Sequence, residues 1–341
     1  MKKTATLLLL AATGALLVPT STPDAEPGHM LNFGTVAPAG TPWADQLNGF
    51  AKRIQKDSAG AIKVRVFLGG SLGSEMEMIQ DVARGERIQG GGFSTGAVGE
   101  AADVPLLLLP ELPYLFRSFE EADAVLDDVL FDPATAALAK KGFVLGTWAE
   151  NGWRSFATKG GPTQAPSDLA KYKMRSQESD VHMNMYERLG AQAVAKPTSE
   201  VLPALNTGIV DGFDNTPLFA LAAGWIEPVT HYTLSRHIYQ PAAILYSKKF
   251  MESLSPSLQA VVIGDPQKEA NDGRVAVRAL ESELLQTIRD FGKEVVELTP
   301  EQRKAFVKAT RDVHVQFLGA HPELKPTYAE VKAKLKSIRQ K

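Results

Sequence analysis

Apolar and polar residues alternate strictly along Ile62-Lys63-Val64-Arg65-Val66-Phe67, the period of a strand that buries one face. Upstream, Trp43, Leu47, Phe50 and Ile54 recur at three- and four-residue spacing, which predicts a helix from about Trp43 to Ser58. Leu31 to Val36 reads as a first strand, ended by Pro38, Gly40 and Pro42. The Gly69-Gly70-Ser71-Leu72-Gly73 turn leads into a helix near Glu75–Arg84, and Ile88 to Phe93 is a third strand rich in glycine. Strand–helix–strand alternation of this kind argues for an α/β fold with a largely parallel sheet.

The pattern then repeats its type without repeating its sequence. An apolar segment, Leu106 to Leu109, precedes helical spacing over Phe119–Val129 and a strand over Phe143–Trp148. A second α/β region begins around Trp153. It has strands near Ser155–Thr158, Tyr172–Arg175 and Ile209–Phe213, a helix across Val181–Leu189, and another from Thr198-Ser199 to Asn206 that Gly208 stops. After the extended stretch Ala242–Tyr246 the chain is mostly helical, over Pro256–Ile263, Gln267–Phe291 and a helix opened by Thr299-Pro300-Glu301-Gln302, a capping box with proline at its first position. The expectation is two α/β lobes followed by long helices.

The first residues do not belong to that scheme. Met1-Lys2-Lys3 is a short cationic start, and Thr4 to Val18 is apolar or small, bounded by Pro19. This reads as a secretory signal, too short for a spanning helix, with cleavage expected between Ser21 and Met30 and residues 1–25 assigned to the leader. The remainder is expected to be exported and soluble.

Composition narrows the chemistry. Lys+Arg 37 against Asp+Glu 39 gives a net charge of −2, so no basic field exists to hold nucleic acid. With Cys 0, disulfides, thiolate metal sites, thiol nucleophiles and a lipid-anchored cysteine are excluded. No P-loop or strand-borne G-x-G-x-x-G supports nucleotide use, and the 6 histidines lack a zinc-binding spacing, so no cofactor or metal is expected. Gly92-Phe93-Ser94-Thr95-Gly96 does match the G-x-S-x-G nucleophile elbow, with His231 and His237 downstream. The glycine-rich setting favours a different reading, a glycine-lined loop that approaches a ligand or the opposite lobe. Two arginines say more. Arg154 follows Asn151-Gly152-Trp153 directly after an apolar strand, and Arg175 ends a probable short strand, where open α/β sheets hold ligands. Arginine is the side chain suited to gripping a carboxylate through two parallel hydrogen bonds; surface placement is the alternative.

Taken together these segments resemble a known family. Asp168-Leu169-Ala170-Lys171-Tyr172-Lys173-Met174-Arg175 is similar to the D-L-x-G-x-K-x-R segment of TRAP transporter substrate-binding proteins, the DctP-type extracytoplasmic receptors. Ser199-Glu200-Val201 through Ala204-Leu205-Asn206-Thr207-Gly208-Ile209-Val210-Asp211-Gly212-Phe213-Asp214-Asn215 resembles the family's S-E-V-x-x-A-L-x-T-G-x-V-D-G-x-E-N. Leu72-Gly73-Ser74-Glu75, Leu112-Pro113-Tyr114-Leu115-Phe116 and Ser253-Leu254-Ser255-Pro256 also match, so the similarity covers roughly residues 31 to 330.

The resemblance implies a two-lobed periplasmic-binding-protein (flytrap) fold, each lobe a mainly parallel sheet flanked by helices, with long C-terminal helices. Lobe I would comprise residues 31–152 plus 240–280, and lobe II residues 153–239 plus 281–341. It implies a periplasmic receptor, not an enzyme, that captures an organic carboxylate and passes it to the small and large integral membrane subunits of a sodium-driven TRAP transporter. Arg175 matches the arginine that pairs with the ligand carboxylate, Asn215 an asparagine that places it, and Arg154 a second pocket arginine. Glu75, Ser94, Phe93, Trp153, Thr198, Phe213 and Trp43 complete the candidate ligand-binding set. Thr198 stands where many members carry a phenylalanine, and Phe213-Asp214 where a polar residue and Glu are usual. The apolar run after Asn215, from Pro217 to Trp225, motivates an alternative ligand that is larger and hydrophobic or lipid-like. A secreted serine hydrolase using Ser94, and an envelope adaptor with no ligand, are the remaining alternatives.

Overall fold

The computed structural model describes residues 28–340, so the leader assigned to residues 1–25 lies outside the described residues. Nine strands form one mixed sheet: β1 (His29–Gly34), β2 (Ile62–Phe67), β3 (Gly90–Ser94), β4 (Phe143–Thr158), β5 (Lys173–Ser176), β6 (Gln192–Ala195), β7 (Gly212–Asn215), β8 (His231–Ser247) and β9 (Glu294–Glu297). Their order is β2-β1-β3-β8-β4-β7-β5-β6, with β9 pairing the start of β8.

The two longest strands create the two lobes. β4 and β8 run antiparallel from Phe143↔Ser247 to Thr158↔His231. At one end β8 pairs β3, which leads on to the parallel pair β1–β2. At the other end β4 pairs β7 and β8 pairs β9, leading to the parallel strands β5 and β6. The ribbon changes partners midway, and register shifts at Leu145/Thr147, Glu150/Gly152 and Arg154/Phe156 bend it there. An extra residue in one strand bends a ladder and re-aims side chains. That is the local reason Asn151 and Arg154 face the gap between the lobes. The hydrophobic pattern alone showed only the ends of these strands, over 143–148, 155–158 and 242–246. Asn151-Gly152 and Pro241 read as breaks but are accommodated inside one continuous ladder.

Helices cover both faces. Thr41 caps the helix Pro42–Asp57 by accepting a hydrogen bond from the Ala44 N–H (3.2 Å), and its buried stripe is the expected Trp43, Leu47, Phe50 and Ile54. That stripe packs on Leu31, Phe33, Ile244 and Tyr246 of the lobe I sheet. β3 needs its glycines. A Cβ on Gly90 would come within 2.6 Å of the Phe33 ring, and one on Gly92 within 2.7 Å of Trp43 Nε1.

The helical expectations hold with two changes. The segment 267–291 is two helices, Pro266–Arg278 and Glu281–Asp290. The first packs on β4 and the helix Pro42–Asp57, the second on the helix Pro217–Ala222 and β9, so the break falls where the chain passes from one lobe to the other. The second change concerns the C-terminus. The helix Pro300–Ala320 packs on the lobe II helix Asp180–Arg188, but Lys325–Arg339 returns to lobe I against the Phe119–Leu130 segment, tied there by Arg339 to Glu121 (2.7 Å) and Lys334 to Asp128 (2.6 Å). The expected assignment of the whole 281–341 segment to lobe II is corrected for this helix. No helix among the described residues is long and apolar enough to cross a membrane.

Candidate functional site

Three strands end at the gap between the lobes: β3 at Ser94, β5 at Ser176 and β7 at Asn215. Their C-terminal ends, together with the bent middle of the β4/β8 ribbon, line a narrow cleft with ≈ 30 Å³ of free space. Val36, Trp43, Glu75, Met76, Ser94 and Ala97 face it from lobe I. Arg175, Gln177, Glu178, Pro197, Thr198, Asn215 and Phe219 face it from lobe II, with Asn151, Arg154 and Gln240 rising from the crossing strands.

Arg175 lies at the end of β5, paired with Val194 and Phe213. Its guanidinium donates from Nε (2.9 Å) and Nη2 (2.7 Å) to the Lys196 carbonyl oxygen and lies 5.2 Å from the Trp225 ring centroid. It is 2% exposed. No carboxylate among the described residues lies within ion-pair distance of it. Burial, and then the neighbouring Arg154, push its pKa down to about 10. Its planar donor group lines the cleft and is the type of side chain suited to pairing with a carboxylate.

Arg154 is organised differently. It donates from Nε to Asp214 Oδ2 (2.6 Å) and from Nη2 to the Asp214 carbonyl (2.5 Å). Only Nη1 turns to the cleft side, donating to Gln240 Oε1 (2.8 Å). Asp214 also accepts from the Tyr186 hydroxyl (2.7 Å) and meets His237 Nε2 (3.2 Å). Burial works to raise this carboxyl, but Arg154 and His237 hold it well below the usual carboxylate range. Arg154 is therefore charge-neutralised where Arg175 is not. Asn215 Oδ1 accepts from Thr216 N (2.8 Å) and Asn151 Nδ2 (3.3 Å), which fixes its amide at the cleft. Behind these groups Glu111 of lobe I meets His182 Nε2 of lobe II (2.7 Å) and accepts from Gln240 Nε2 (3.0 Å), so the polar network joins both lobes.

The sequence profile described as bacterial extracellular solute-binding protein, family 7 (DctP) matches residues 33–319. The chain belongs to this family. A solute-binding protein of Verminephrobacter eiseniae is 31% identical over 80% of this chain and 79% of its own length. Among solved structures, the sugar acid binding protein DctPAm of Advenella mimigardefordensis with galactonate superposes with a TM-score of 0.86 at 26% identity, covering 91% of this chain and 99% of its own. A TRAP periplasmic solute binding protein of Roseobacter denitrificans with bound β-D-glucuronate gives 0.84 at 26%, covering 89% and 99%. The chain is a TRAP-type extracytoplasmic solute receptor with the two-lobed fold, and not an enzyme.

Seven of the expected site residues line the receptor's cleft: Arg175, Asn215, Arg154, Glu75, Ser94, Thr198 and Trp43. Three do not, and each is a correction. Phe93 is fully buried in the core, because neighbouring positions on a strand face opposite sides and Ser94 takes the cleft side. Phe213 lies beneath Arg175, packed on Trp225 (5.3 Å). Trp153 faces away on β4, edge-to-face with Tyr239 (5.4 Å) and tilted against Phe119 (5.9 Å). The apolar run after Asn215 is likewise structural, since of Thr216 to Trp225 only Phe219 lines the cleft. Gln177, Gln240 and Asn151 escaped the sequence reading. Asn151 stood inside a phrase already marked, Gln177 lies two residues past Arg175, and Gln240 had no signal beyond one polar residue in an apolar strand.

Ser94 has the strand before it and a short helix, Thr95–Ala101, after it. Its hydroxyl donates to Glu75 Oε2 (3.0 Å) and accepts from Gln177 Nε2 (3.3 Å) in place of an imidazole. His237 stacks on Phe156 (4.1 Å) and serves Asp214, and His231 lies at the far end of β8 beside Glu294 (3.3 Å). Beside Glu178, which burial also raises, Glu75 is a titrating group of the cleft. Burial raises its pKa to about 7, against the lowering effect of two hydrogen bonds from Ser94. A raised native pKa means that the folded state binds more protons than the unfolded chain between pH 4.5 and about 7, so stability declines as pH rises through that window. Glu75→Gln is expected to flatten part of this decline in urea titrations; Glu269, also raised to about 7 by burial, and Glu100, Glu150 and Glu178, raised in the same direction, retain the rest. An unchanged slope would show that Glu75 is not the responsible group.

Proposed function

We propose that the receptor captures a small hydroxylated organic acid, of the sugar-acid class, between its lobes and delivers it from the periplasm to a TRAP-type integral membrane transporter. The observation that carries this reading is Arg175, buried, held by the Lys196 carbonyl, and without a carboxylate partner among the described residues. A bound carboxylate supplies the missing counter-charge. Asn215 and Arg154 complete the polar end, while Glu75, Ser94, Gln177, Asn151 and Gln240 offer both donors and acceptors to hydroxyl groups. Trp43 Nε1 is buried without a partner beside the cleft and is a further donor. This polar lining fits a sugar acid better than a lipid, whose chain would leave those groups unpaired. Structural neighbours that hold glucuronate and galactonate support the same class. In this reading residues 1–25 form a leader removed on export.

Thermal-shift measurements test it. D-glucuronate or D-galactonate at saturating concentration is expected to raise the melting temperature by several degrees through mass action, with D-glucose inert. A panel in which no sugar acid raises it contradicts the proposal.

A further inference from the structure

A second and larger concavity lies on another face of the molecule. Its walls come from both lobes: the Pro113–Phe119 segment and the helix Lys325–Arg339 on one side, the helix Pro300–Ala320 and Arg236 on the other. The space among these walls is ≈ 900 Å³.

Its chemistry differs from that of the cleft. Six cationic side chains line it against a single acid, Glu281. Arg236 is paired with Glu281 (3.0 Å) and Arg339 with Glu121 (2.7 Å), and Arg311 lies 3.9 Å from Asp312. Arg117, Arg303 and Lys332 have no carboxylate within ion-pair distance among the described residues. Arg303 is partly buried, and its Nη1 donates to the Ser235 carbonyl (2.8 Å), which positions the guanidinium without pairing its charge. Lys332 is pushed down by burial and then by Arg339 and Arg117, so a nearby anion would favour its charged form. Beside these cations are apolar and aromatic surfaces. Trp153, Phe119 and Leu318 line the groove, and Val315 stands 67% exposed at its edge.

We propose that this groove is a second binding site, for a small amphipathic monoanion: a carboxylate seated on Arg303 and Lys332, with an aliphatic or aromatic body against Trp153, Phe119 and Leu318. Cationic donors at one end and a wide apolar wall at the other match the two halves of such a molecule. The site is independent of the cleft and of the ligand assigned to it.

Titration calorimetry of the full chain with sodium octanoate tests this, with 1-octanol as the uncharged control. Octanoate is expected to bind at micromolar to sub-millimolar concentration, octanol about tenfold or more weaker. Arg175→Met leaves octanoate binding in place, since it alters only the cleft. The Arg303→Gln/Lys332→Gln double variant weakens it about tenfold or more, and Val315→Glu, at an exposed position that does not threaten folding, weakens it in the same direction. The proposal is overturned by absence of binding up to about 1 mM, by loss of binding in Arg175→Met, by octanol binding as well as octanoate, or by unchanged affinity in both groove variants.

Discussion

Arg175→Met is expected to reduce affinity for the cognate acid about a hundredfold or more, while the ligand-free protein stays at least as stable as the parent. Each hydrogen bond to a charged group contributes about 1.5–3 kcal/mol net, so loss of a bidentate contact removes about 3–6 kcal/mol of binding. Each 1.4 kcal/mol corresponds to about tenfold in Kd. The stability half of the prediction follows from burial. Arg175 is 2% exposed, has no carboxylate partner among the described residues, and is held below its ordinary pKa by burial and by Arg154. Removing the charge relieves that cost, which offsets the lost hydrogen bonds to Lys196 and the contact with Trp225. Arg175→Lys keeps the charge but not the planar fork, and should fall between the two. Calorimetric titration and thermal unfolding on the same samples check both halves. A variant that binds normally, or one that loses binding only because it unfolds, removes Arg175 from the role assigned to it.

Asp214→Ala is expected to have the opposite profile, a large loss of stability. It leaves the Arg154 guanidinium, itself 1% exposed, without its ion pair, and takes an acceptor from Tyr186. Breaking a buried pair from one side costs about 3–5 kcal/mol, or roughly 5–10 °C in Tm for a chain of this size. The double variant Arg154→Met/Asp214→Leu should recover much of that loss, because it removes both charges together. The pH dependence has a definite sign. Asp214 is held well below its ordinary pKa, so its contribution is present above the usual carboxylate range and is lost as pH falls through the native value. Asp214→Asn should therefore lack that part of the acid-induced loss. A single variant as stable as the parent would mean that the pair does not hold the lobe II floor together.

Legibility in the sequence followed the range of the interaction. The helix Pro42–Asp57 and strand β2 were readable because their buried faces are periodic over a few residues, and the chain needs no distant partner to show that period. Arg175 and Asn215 were readable because each sits in a short phrase shared with the family. The long strands β4 and β8 were not, since Gly152 and Pro241 are ordinary breaking signals when met locally. Only the opposite strand shows that the ladder continues, with Pro241 facing Glu150 and Gly152 facing Gln240.

By itself the sequence determined the α/β class, the two-lobed plan, the absence of thiol chemistry, and the phrase whose arginine the structure places at the cleft. These depend on composition, on periodicity and on local motifs. Tertiary structure alone decided which aromatic residues face the cleft, because that depends on strand direction and partner. It sent Phe93, Trp153 and Phe213 into packing and brought Gln177, Asn151 and Gln240 to the site. It also decided that Arg154 is neutralised by Asp214 while Arg175 is not, since the charge state of a buried group is set by neighbours far away along the chain.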